Sequence, residues 1–101
     1  MNDRYKGKPL LRLLESYVLW AIGQLSEDDQ RALAQMEPHL ERTFGVRGSW
    51  RQILEKLMEL PSNMPDLIRS NWEMNLGVAE KRGETLSPEF FAQQFVDSNL
   101  R

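Results

Sequence analysis

The residues of this chain that could do chemistry are few, and their spacing does not assemble them into a known device. There is one histidine, His39, and no cysteine. A zinc site built on His39 would need three carboxylate or water ligands, which zinc sites seldom use. Glu37 and Glu41 are close to it in sequence, but on a helical wheel they lie on a different flank. Glu27-Asp28-Asp29 could attract Mg²⁺ only if carboxylates from elsewhere converged on them. Three acids opening a helix are already explained by the positive end of its macrodipole. Ser16, Ser49, Ser87 and Ser98 lack a G-x-S-x-G context, and Ser49 and Ser87 sit where helix caps are expected. No catalytic, metal or cofactor-binding residue is therefore assigned, and no cofactor is expected.

Binding residues are better represented. Asn71 and Asn75 lie i,i+4 inside an apolar helical arc, although asparagine is a poor helix former. An unpaired buried amide costs on the order of 1–3 kcal/mol. The pair must therefore bond across the core, face a gap, or sit in a binding groove or dimer seam, where one asparagine can fix register. Leu19 and Phe90 are the apolar residues most out of phase with their helices and are candidate interface residues. Arg42, Arg47 and Arg51 bracket a short glycine-containing turn, in the outline of a helix-turn-helix, and are the candidate nucleic-acid contacts. Glu55 and Glu59 share the outer face of the would-be recognition helix and would repel phosphates. A third arrangement is a small-molecule or enzymatic pocket near Trp72, Asn71, Asn75 and His39. Tyr17, Trp20, Trp50 and Trp72 read more simply as core aromatics on helical faces.

Composition narrows the choice. The 101 residues fit one domain able to bury a core without staples, and the formal charge of −2 argues against a general binder of nucleic acid or anionic membranes. The absence of cysteine excludes disulfides and thiol nucleophiles. The basic residues Arg4, Lys6 and Lys8 precede an apolar run, but Arg12 and Glu15 interrupt it early and no small-x-small cleavage site follows. The run is also shorter than the roughly 20 apolar residues of a membrane span. A cytoplasmic protein is expected.

The elements that would position these residues are helices. Pro9 to Gly23 (PLLRLLESYVLWAIG) is apolar over roughly 200° of arc, with Arg12, Glu15 and Ser16 as its polar stripe, and must be covered by several other helices. Ser26 caps a second helix over about 27–44. Its stripe of Leu33, Met36, Leu40 and Phe44 keeps phase through Pro38, so one helix kinked at Pro38 is expected. Ser49 and Gln52 form a capping box for a helix over 50–60 whose apolar arc is Trp50, Ile53, Leu54, Leu57, Met58 and Leu60. A helix over 65–82 carries one ridge of Ile68, Trp72, Leu76 and Ala79 and another of Leu67, Met74 and Val78. Ser87-Pro88 opens a last helix over 88–98, with Leu86 stapled on Phe91.

The expected fold is all-α: about five helices around the hydrophobic helix near 9–24, in one domain spanning 9–101 behind a flexible basic tail, 1–8. The expected function is non-enzymatic protein–protein contact, a homodimer being one form of it, with no membrane partner and with charge weighing against nucleic acid. The DNA-binding unit around 42–55 and the pocket near Trp72 are the alternatives.

Overall fold

The computed structural model describes residues 5 and 7–100, and every regular element among them is helical. Pro9 has no N–H to leave unsatisfied and opens α1 (Pro9–Ala21). Leu13, Tyr17 and Val18 are completely enclosed, and Leu11, Leu14 and Ala21 are nearly so. A helix this apolar is stable only inside other helices, and α1 packs against α3, α4, α5 and the C-terminal turn. It ends in a Schellman motif, where the Gln24 N–H reaches back to the Leu19 carbonyl across Gly23 at φ 71.

The polar stripe of α1 is a correction to the wheel. Only Arg12 is exposed. Ser16 is buried, and Glu15 keeps just 3% of its surface. The cause lies outside the helix. Tyr5 packs on the core, and its hydroxyl donates to Glu15 Oε1 at 2.7 Å. The rest of the expected tail, apart from Gly7 and Lys8, falls on residues 1–4 and 6, outside the described residues.

α2 (Glu27–Phe44) begins where Ser26 Oγ accepts the Asp29 N–H at 3.1 Å, and it runs unbroken through an exposed Pro38. That is the outcome expected when a proline falls on the solvent side of a helix. α2 buries only Leu33 and Leu40 and packs mainly on α3 (Trp50–Leu57), not around α1. Two carboxylates fix this pairing. Glu37 Oε1 accepts the Trp50 N–H and Glu41 Oε1 accepts the Gly48 N–H, each at 3.1 Å. With the Ser49–Gln52 capping box in place as well, the first turn of α3 has few free donors.

α3 stops at Leu57, short of the expected residue 60, and a second Schellman motif is the reason. The Leu60 N–H bonds the Glu55 carbonyl at 2.9 Å, and Glu59 takes the left-handed φ of 52 that a glycine would adopt without strain. A left-handed side-chain-bearing residue costs about 1–2 kcal/mol. Glu59→Gly is accordingly expected to raise stability by about 1 kcal/mol, or roughly 5 °C in Tm, measured by thermal denaturation. A fall in Tm would show that the Glu59 side chain itself stabilises the turn.

α4 (Met64–Lys81) lays Ile68, Trp72 and Ala79 against the core and closes at Gly83. α5 (Pro88–Phe95) is capped by Ser87 Oγ, which accepts the Phe90 N–H at 3.2 Å. Phe91, Ala92 and Phe95 are buried, and Leu86 is half-buried against the core. Where an α-helix to residue 98 is expected, the chain widens into a π-helical turn, Val96–Leu100. Val96 stays buried across it, and Leu100 comes to lie beside Leu10 and Leu11 on the first turn of α1.

Candidate interaction face

The second ridge of α4 is the feature the fold leaves without a partner. Leu67, Met74 and Val78 are 49%, 70% and 46% exposed, and Phe90 on α5 is 55% exposed. At about 100° per residue the three α4 side chains fall within roughly 40° of one another, so they form one line along the helix. The core takes the other ridge because α4 can turn only one side of its wide apolar arc toward α1. Trp72 anchors that side, edge-on to Phe91 with ring centroids 5.2 Å apart.

Asn71 and Asn75 lie at the border between the two sides. Asn71 is half-buried and Asn75 is exposed, so neither is a core amide. Asn75 Nδ2 donates to both the carbonyl and the Oδ1 of Asn71, each at 2.7 Å. The pair thus satisfies much of its own polarity within one turn. Both line a shallow groove of about 150 Å³ between α4 and α5, with Gln94 and Ser98 on its far wall. Phe90 lies one turn before Gln94 on α5 and is not among the residues of this groove.

The other sequence-derived candidates are placed elsewhere. Leu19 is half-buried against the core and lines a separate cleft of about 500 Å³ together with Glu15, Ser16 and Glu89. Arg42 and Arg47 are exposed. Arg51 is stacked over the Trp20 ring, its guanidinium carbon 4.4 Å from the centroid. This cation–π contact holds Arg51 against α1, although Glu55 stands four residues on at ion-pair spacing. Glu55 instead accepts the Tyr17 hydroxyl at 3.0 Å. His39 is exposed on α2 with Thr43 Oγ1 at 3.5 Å, and it is not among the residues of the Asn71–Asn75 groove. At about 150 Å³ that groove is smaller than ordinary ligand pockets, which run to about 300–1,000 Å³. Among the described residues, no three His, Asp or Glu side chains are grouped as metal ligands would be, and no helix is long and apolar enough to cross a membrane.

Wheel reasoning found the Leu67–Met74–Val78 ridge but did not single it out, because either ridge could have faced the core. It missed the Tyr17–Glu55 and Tyr5–Glu15 bonds altogether, since both join distant parts of the chain.

The Tyr17–Glu55 bond has a consequence for pH. Burial, then the hydrogen bond to Glu55 and the charge of that carboxylate, push the Tyr17 hydroxyl well above its ordinary value of 10.0, against a smaller opposing pull from Arg51. The unfolded chain therefore ionises this group first. Stability from this source is complete below about pH 10 and is lost as pH rises beyond it. In an ultraviolet titration Tyr17 should form tyrosinate only as the helical circular dichroism collapses, and Tyr17→Phe should delete that late phase. Ionisation of both tyrosines near pH 10 in the folded state would contradict the burial of Tyr17.

Comparison with protein-family models, curated proteins and solved structures finds no match, so the functional reading rests on this surface alone.

Proposed function

We propose that the chain is a small non-enzymatic cytoplasmic protein that acts through protein–protein contact, and that α4 is its docking surface. The observation that carries this reading is the exposure of Leu67, Met74 and Val78 along one line of a helix whose other apolar ridge buries Ile68, Trp72 and Ala79. Single exposed apolar residues are ordinary, but three aligned along one side of a helix are what an interface leaves behind when its partner is removed. Its composition also fits, with methionine at an exposed position and the charged residues Asp66, Glu73 and Glu80 off the line.

Capture from the source cell tests the proposal. Tagged wild-type chain is expected to retain a protein, or a second copy of itself, that tagged Met74→Glu does not. Identical retained proteins for the two baits would remove α4 as the docking surface.

A further inference from the structure

We infer that the groove at the head of α1 binds a single-chain aliphatic carboxylate, its tail on apolar side chains and its head group at Lys8. The groove has a volume of about 660 Å³, inside the range of ordinary ligand pockets, about 300–1,000 Å³. Several parts of the chain meet there. α1 supplies Leu10, Leu11 and Leu14, α2 ends in Phe44, Met58 follows α3, and the C-terminal turn supplies Leu100. Leu11 and Leu14 are buried, whereas Leu10, Phe44, Met58 and Leu100 are only half-buried, so the core opens to the surface along this trough. The groove is separate from the docking surface of α4, since none of Leu67, Met74 and Val78 lines it.

The chemistry of the lining selects the occupant. A peptide or a sugar would bring polar groups that need partners once water leaves, and walls of leucine, phenylalanine and methionine side chains supply none of any strength. An alkyl chain needs none and gains from each methylene removed from water. The head group follows from charge. Lys8 is the one charged residue of the lining, and no carboxylate lines the groove to balance it. Among the described residues Lys8 has no ion-pair partner. The first turn of α1 also carries no acid, unlike the Glu27-Asp28-Asp29 opening of α2, so the positive end of the α1 dipole adds to the lysine. An anionic head is attracted to this end of the groove and a cationic one is repelled. Because Lys8 is exposed, its contact with the head group is screened by water. The tail therefore supplies most of the affinity, and the head supplies the choice of ligand.

Titration of the full chain with octanoate, decanoate and dodecanoate, below the concentrations at which they form micelles, tests the assignment by methyl NMR. The methyl signals of Leu10, Met58 and Leu100 should shift, and affinity should tighten about tenfold for each two methylenes added. Decanoate should bind about tenfold more tightly than decylammonium, which carries the same tail. Lys8→Glu, at an exposed position, should abolish that preference while the tail still binds. Leu100→Asp, in the last turn, should weaken every ligand of the series about tenfold or more. Circular dichroism confirms that both variants stay folded. Absence of methyl shifts at about 1 mM dodecanoate, or shifts confined to Leu67 and Val78, would overturn the site. Equal binding of decanoate and decylammonium, or a preference that survives Lys8→Glu, would overturn the carboxylate head. Loss of the Met74-dependent capture would leave this inference standing, because the two surfaces share no residue.

Discussion

Leu13→Ala is expected to cost about 3–4 kcal/mol and to lower Tm by roughly 15–25 °C. Leu13 has no exposed surface, and it lies midway along the helix that α3, α4 and α5 all contact. Truncation removes the transfer energy of the lost atoms and leaves a cavity whose walls belong to several helices. Those walls cannot collapse without moving one another. Domains of this size are stable by only about 5–15 kcal/mol, so a single methyl-bearing fork of one leucine represents a large share. Leu10→Ala, on the half-buried edge of the same helix, should cost only about 1–2 kcal/mol. Urea denaturation of the pair measures the contrast. Equal, small losses would mean that α1 is not the element the other helices are built on.

Met74→Glu is expected to abolish association while leaving folding stability within about 0.5 kcal/mol of wild type. The side chain is 70% exposed, so a carboxylate there remains hydrated in the free chain. In a docked state that carboxylate would lose its water, at a cost the contact cannot offset. Ile68, one ridge away on the same helix, is completely enclosed, and Ile68→Glu should unfold the chain at any concentration. Paired thermal melts and light scattering separate the two effects. A Met74→Glu chain that melts far below wild type would place Met74 in the core and withdraw the interaction face.

The helices were legible in the sequence because their start signals are local. Ser26, Ser49 and Ser87 each cap a helix within three residues, and the apolar phase of α2 runs straight through Pro38. Their ends were less legible. A Schellman motif needs one left-handed residue, and at Glu59 the sequence offers none of the residues that normally mark it. The burial of Glu15 was hidden because Tyr5, ten residues away, supplies the cover. Arg51 and Glu55 have the spacing of an ion pair, yet Trp20 and Tyr17 from α1 claim one each. Local spacing could not foresee either contact. The site was half legible. Asn71, Asn75 and Phe90 were marked by being out of place, whereas the apolar line beside them became a surface only once α1 had chosen which ridge of α4 to bury.

The central claim is that the Leu67–Met74–Val78 line is covered in the working protein, and the oxidation rate of Met74 measures that directly. Free methionine side chains convert to sulfoxide under peroxide, and burial slows the reaction. In dilute purified chain, Met74 should oxidise fastest of the methionines in the helices, with half-buried Met36 as an internal reference. In source cells treated in the same way, peptide mass spectrometry should find Met74 protected several-fold relative to Met36. A Met74-to-Met36 ratio that is the same in cells as in the dilute chain would show the face bare in the working protein and contradict the account.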